Sequence, residues 1–307
     1  MITRYNSFGP YLKKVFGSAV YKVNVDAGFT CPNRDGTLGV DGCIYCNNKS
    51  FRPSQCDAEL SVREQITSGI SYLGPRYGAR KFLAYFQPYT NTYAPVDELE
   101  KLYKEALAAP GVIGLAIGTR PDCVDEEKIK LLQQLAKDYF ILVEYGVQSI
   151  HDKSLEYINR GHDYKAFLTA LDMTVNRDIH IGAHIIAGFP TETQEETLMM
   201  ADALSELPVE FLKIHQLQVI KNTPLGDEYV KNPFHTFGYG EYLDFLIDFI
   251  QRLSPDIVLQ RLFATAPDDI LLAPRWDKNK HQIIVDIEKR MIEKDACQGA
   301  KRVCHRS

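Results

Sequence analysis

Apolar positions along the chain fall into two alternating kinds of run. Short, nearly continuous runs rich in β-branched and aromatic residues occur at "YKVNVD" (21–26), "KFLAYFQ" (81–87), "GVIGLAIG" (111–118), "YFILVEYG" (139–146), "HIGAHIIAG" (180–188) and "FLKIHQL" (211–217). Between them lie longer stretches with charged faces and helical spacing, such as "VDELEKLYKEALAA", "DEEKIKLLQQLAK" and "TQEETLMMADALSEL". Strands that are apolar throughout are buried on both faces, and helices between them supply the crossovers of a parallel sheet. The pattern predicts an α/β fold over residues 1–217, either a partial (β/α)6 barrel of TIM type or an open doubly wound sheet. After residue 217 the rhythm changes. A helix at 240–253, a short strand "IVLQRLF" and a last helix around 277–296 predict a C-terminal α/β extension, 218–307, packing on the barrel.

Polar residues with chemical potential gather where these strands end. A cysteine-bearing loop follows the first strand, "QPYTNTYAP" the second and "TRPD" the third; Glu144 and "GVQS" close the fourth, "GFPTET" follows the fifth, and His215 ends the sixth. The carboxyl ends of barrel strands form the active face, so this distribution predicts a site there. Composition narrows the chemistry. A net charge of −5 argues against a general nucleic-acid binder, while local basic patches such as "YLKK" and the "KRVCHR" tail leave an RNA substrate open. No apolar run reaches membrane-spanning length and the N-terminus carries no export pattern, so a cytoplasmic protein with reduced thiols and no membrane partner is expected.

Three of the seven cysteines, Cys31, Cys43 and Cys46, lie in "GFTCPNRDGTLGVDGCIYCNNKSF". Cys43-x2-Cys46 suits a zinc site that Cys31 and Cys56 would complete; it equally suits an iron–sulfur cluster with three protein ligands. Packing as small apolar side chains is the third reading, and the polar loop around them disfavours it. Spacing alone leaves the two metals open. Cys56 and Cys123 lack partners at metal spacing and read as packing residues; Cys297-x6-Cys304 followed by His305 offers a second metal reading, which an expected disordered tail disfavours.

These stretches, with "EYGVQSIHDKSLEYINRGH", "HIIAGFPTET" and "LKIHQLQVIKNTPL", resemble the radical S-adenosylmethionine enzymes, and within them the YhcC/YtqA-type subfamily, which shares motifs with the catalytic subunit of Elongator. The resemblance runs from about residue 4 to 290. It departs from the wider superfamily in two places: the first cysteine interval is eleven residues where three is usual, and "FQPYTNTYAP" replaces a Gly-Gly-Glu motif. The resemblance implies a [4Fe–4S] cluster on Cys31, Cys43 and Cys46, with the fourth iron left for S-adenosylmethionine. Reductive cleavage of that cofactor would yield a 5′-deoxyadenosyl radical. It further implies cofactor contacts from Gln87, Glu144 and Gln148 (the latter two to the ribose), from Arg160 to the carboxylate, and from Gly188 and Pro190 near adenine. His215, Lys221 and Arg261 become candidates for holding substrate, and Lys213 shares the inward face with His215. The implied partners are an electron donor such as flavodoxin or ferredoxin and a tRNA whose wobble uridine is altered at C5.

Overall fold

A computed structural model describes residues 4–47 and 58–302; Cys56, Cys304 and His305 lie outside them. Seven parallel strands form one sheet in the order β1 (Val20–Val25), β2 (Lys81–Phe86), β3 (Val112–Thr119), β4 (Phe140–Gln148), β5 (His180–Ala187), β6 (Phe211–Gln216) and β8 (Val258–Arg261). The six expected strands are present, and β8, from "IVLQRLF", pairs with β6 as a seventh. A small antiparallel pair, β7 (Val219–Ile220) and β9 (Leu271–Ala273), lies beyond it. Chain order matches sheet order because each crossover is long enough for a covering helix: α2 (Val62–Tyr77), α3 (Val96–Leu107), α4 (Glu126–Ala136), α6 (Tyr164–Thr174) and α7 (Gln194–Ser205). Ser61, Asp125, Asp163 and Thr193 start four of these helices, each accepting from a first-turn amide. α5 (Asp152–Tyr157) and α8 (Pro224–Lys231) are shorter, and α9 (Tyr239–Arg252) adds seven buried apolar residues to the same core.

The sheet curls. Seven flat strands spaced by about 4.8 Å would put the two edges roughly 29 Å apart. Instead Lys22 of β1 donates to Gln260 of β8 at 2.6 Å across the concave side. Inward side chains stack in levels. At the bottom, Leu83, Phe140, Leu142, Phe211 and Val258 form an apolar plug, sealed by α1 (Phe8–Phe16) through Leu12, Phe8, Tyr11 and Phe16. Above it comes a charged level containing Lys22, Tyr85, Glu144 and Lys213. The strand ends above that level surround the candidate site. β4 is buried at all nine positions, as its apolar run, interrupted by Glu144, requires of the middle strand.

Candidate active site

A cavity of about 220 Å³ opens at the carboxyl ends of the strands. Cys31, Cys43 and Cys46 all line it, together with Gln87, Glu144, Gln148, Arg160, His215 and Arg261. Gly188, Pro190 and Lys221 lie off this lining. Gly188 adopts φ +95°, and a Cβ there would meet the Phe237 ring at 2.8 Å, so this glycine answers a packing demand. Pro190 is exposed, and Lys221 donates to the Asp269 carbonyl at 2.7 Å.

The cysteine loop is held from several sides. Ile44 N–H donates to Ile158 O at 3.0 Å, and Leu225 N–H donates to Ile44 O at the same distance. Asn33 donates to the Asn159 carbonyl and Asn159 returns a bond to Gly42 O at 2.9 Å. Each cysteine has its own arginine. Arg120 Nη1 is 3.9 Å from Cys31 Sγ, Arg160 Nη1 is 3.7 Å from Cys43 Sγ, and Arg34 donates to the Cys46 carbonyl at 2.7 Å. Burial and then Cys43 push the Cys46 thiol up to about 11 against the pull of Arg34, so a bound metal would have to displace its proton. Arg120 is itself fixed by a two-point bond to Asp122 across the 3-10 turn Pro121–Cys123, which explains "TRPD" as a positioning device. Cys123 is buried, its thiol pushed up to about 12 by burial and then by Asp122, in keeping with a packing residue.

Around the cysteines several polar atoms are buried without a partner. Arg160 Nε and Gln148 Oε1 are two of them, although Arg160 Nη2 donates to Gly146 O at 2.7 Å. Gln148 also sits at φ +66°, beside a register shift between β4 and β5, a strained backbone for a buried glutamine. Gly146 makes room for both side chains: a Cβ there would lie 2.7 Å from Gln148 Nε2 and 2.9 Å from Arg160 Nη2. Asn91 and Thr92, fully buried, lock the loop after β2 by bonds to Gly118 O and Thr119 Oγ1, leaving Gln87, Tyr89 and Thr90 on the cavity wall.

Deeper in the cavity, Glu144 has partners other than a ribose. Lys22 donates to one carboxylate oxygen at 2.8 Å and Lys213 to the other, so both oxygens are engaged by ammonium groups. Glu144 is held well below the usual carboxylate range because these two lysines outweigh its burial. Lys213 is brought down to about 7 by burial, with the Lys22 and Arg261 charges adding to the effect against the pull of Glu144. His184 Nε2 and His215 Nδ1 share a hydrogen bond at 2.8 Å. Burial, the other imidazole and nearby cations keep His215 neutral, and His184 is lowered to about 3 by burial and then Lys213. Sequence reasoning left Arg34, Arg120, His184 and Tyr85 without roles. His184 was legible from its alternation with Gly182 and Ile186 on one strand face; the arginines become cysteine neighbours only through the fold.

The model of the "Radical SAM superfamily" matches residues 30–204, and that of the "Radical_SAM C-terminal domain" matches 209–293. This chain belongs to the radical SAM superfamily. Protein YhcC of Escherichia coli K12 is 32% identical over 96% of this chain and 94% of its own length. A tRNA uridine(34) acetyltransferase of Methanocaldococcus jannaschii is 23% identical over 63% of this chain, which spans 36% of that protein. Among solved structures, an archaeal Elp3 of Methanocaldococcus infernus superposes with a TM-score of 0.70 at 17% identity, over 91% of this chain and 64% of that one, and so shares the fold. Radical SAM enzymes use a [4Fe–4S] cluster and S-adenosylmethionine. The site fits both. Three thiols line one cavity beside cations, and buried polar atoms of Arg160 and Gln148 await partners there. Among the described residues the three sulfurs are not drawn into a ready-made ligand set, as a cluster held by a loop allows. No described helix is long and apolar enough to cross a membrane.

Proposed function

We propose that this radical SAM enzyme remodels the C5 side chain of a wobble uridine in tRNA, of the carboxymethylaminomethyl kind. The match to a protein named for uridine 34 of tRNA is the observation that carries the substrate, and the cavity at the strand ends supports it. A wobble base is unpaired in the anticodon loop, so it can enter such a cavity without a duplex being opened.

Cys31, Cys43 and Cys46 would hold the cluster, with the Arg120 and Arg160 guanidinium groups beside Cys31 and Cys43. When bound, the cluster and S-adenosylmethionine supply a 5′-deoxyadenosyl radical, able to take hydrogen from a carbon that has no acidic proton. Arg160, whose Nε is unpartnered, receives the cofactor carboxylate; Gln148, not Glu144, receives the ribose, because the lysines occupy Glu144. Gln87 borders the same space. The plug under the charged level, sealed by α1, closes the barrel floor to bulk water, which protects a reactive carbon centre. A reduced flavodoxin or ferredoxin is the electron source, and the 1–217 and 218–307 segments act together around one cavity.

The test is to delete the gene in its host and digest total tRNA for nucleoside mass spectrometry. A wobble-uridine precursor should accumulate, and reconstituted enzyme with S-adenosylmethionine and reductant should convert it. An unchanged profile in cells that express the protein would favour a small-molecule or peptide substrate, which the acidic net charge of −5 suits.

A further inference from the structure

We propose that the inner corner of the cavity formed by Lys213, His215 and Arg261 is a recognition site for a carboxylate carried by the substrate. This rests on the cavity being where substrate binds and goes beyond it by naming the group recognised. Three observations meet here. Register places His184, Lys213 and Arg261 side by side across β5, β6 and β8, and all three line the cavity. Lys22 and Lys213 share a single carboxylate, Glu144, and among the described residues no acid pairs with Arg261. Finally, His215 Nε2 is buried without a partner, while Nδ1 of the same ring is held by His184.

The three groups are complementary to one planar anion. In the tautomer in which His184 Nε2–H donates to His215 Nδ1, His215 Nε2 carries the hydrogen and donates into the cavity. Arg261 offers a planar fork that matches two carboxylate oxygens, and Lys213 an ammonium. An uncompensated cation excess in a partly enclosed space is unfavourable until an anion enters. Lys213 is lowered to about 7 by burial first and then by the Lys22 and Arg261 charges, and a bound carboxylate would act against that charge contribution. Arg160 and the cysteines belong to other strand ends, so this corner is separate from the group that receives the cofactor carboxylate.

Arg261 is exposed, which makes it a reporter. Reconstituted holoenzyme is treated with phenylglyoxal, and labelling of Arg261 is followed by peptide mass spectrometry, with exposed Arg63 as internal standard. Malonate should slow Arg261 labelling at least fivefold, with and without S-adenosylmethionine, and leave Arg63 unchanged. Its neutral analogue malonamide should not protect. In His215→Gln the protection should fall to under half, and in Arg261→Lys binding of ¹³C-malonate should weaken but persist. Equal protection by malonamide, no protection by malonate, or stronger protection by inorganic phosphate would overturn the proposal. So would protection that vanishes when S-adenosylmethionine is bound, since the corner would then serve the cofactor. No tRNA enters the experiment, so its failure leaves the wobble-uridine reading standing, and an unchanged nucleoside profile would leave the carboxylate site standing.

Discussion

Glu144 stands between two lysines that reach it from β1 and β6, and it is buried along with Lys213. Replacing it with glutamine keeps the volume and leaves two ammonium groups facing each other. Removing one partner of a buried ion pair costs about 3–5 kcal/mol, so Glu144→Gln should lower stability to chemical denaturation by that order. Glu144→Gln with Lys213→Met should recover most of the loss; a double variant as unstable as the single one would refute the pairing. The pH dependence has a definite sign. Lys213 releases its proton near 7 in the folded chain and near its ordinary 10.5 in the unfolded one. Between those values the unfolded chain holds the extra proton, so raising pH favours the folded state through this group. Wild type should therefore gain stability relative to Lys213→Met between pH 7 and pH 9 in parallel urea titrations, and a constant difference would show an unshifted lysine. From sequence, an acid in "FILVEYGV" signals a buried partner, yet not which one. The partners lie 122 and 69 positions away, and only sheet curl brings them together. Arg160 lines the cavity with its Nε buried and unpartnered. Arg160→Ala should weaken S-adenosylmethionine binding by about 1.5–3 kcal/mol, roughly ten- to a hundredfold in dissociation constant by calorimetry, with iron content retained. Unchanged affinity would remove Arg160 from the cofactor site.

Among elements, the strands were the most legible because both faces of a central parallel strand are buried, and the apolar run then marks its ends within a residue or two. β8 was harder: only four residues long, it reads as an isolated strand until its pairing with β6 is known. α1 was missed, although Phe8, Tyr11, Leu12 and Phe16 have helical spacing, because nine residues give a weak periodic signal and its role is to seal a barrel end. The cysteine loop was legible through its spacing, and its attachment was not, since it depends on backbone bonds to residue 158 and residue 225. That attachment lies outside the strands, so Cys31→Ala, Cys43→Ala and Cys46→Ala should each lose iron and anaerobic brown colour while keeping the circular dichroism of the barrel. Cys123→Ala should keep its iron. Equal iron loss in Cys123→Ala would mean the ligand set is wrong. Gly146 tests the strand end itself. Gly146→Ala inserts a methyl against Arg160 and Gln148 at under 3 Å, so S-adenosylmethionine binding should weaken as in Arg160→Ala while iron loading stays normal.

For the whole molecule, the change of rhythm after residue 217 invites division of the chain there, and the contacts argue that the two segments fold together. β8 closes the open edge of the sheet beside β6, and its Gln260 meets Lys22 of the opposite edge. The N-terminal segment lies along β8, with Leu259 N–H donating to Asn6 O at 2.8 Å and Ser7 bridged to Leu259. The chain's far end returns to the same place. Gln298 accepts from Asn6 N–H at 2.8 Å, and Arg4 donates to the Ala296 carbonyl at 3.0 Å. α9 supplies Phe245, Phe249 and Ile250 to the main core, all almost fully buried. Ending the chain at residue 217 would uncover those apolar contacts, leave β6 as an unpaired parallel edge and strip α1 of its β8 neighbour. Exposed parallel edges pair with other chains, so the 1–217 fragment should aggregate on expression and lack a cooperative unfolding transition. Co-expressed 218–307 should rescue it into a soluble complex if the interface is as continuous as these bonds indicate. A soluble, cooperatively unfolding 1–217 fragment that loads iron alone would establish instead that the barrel is self-sufficient and the C-terminal segment an accessory to substrate binding.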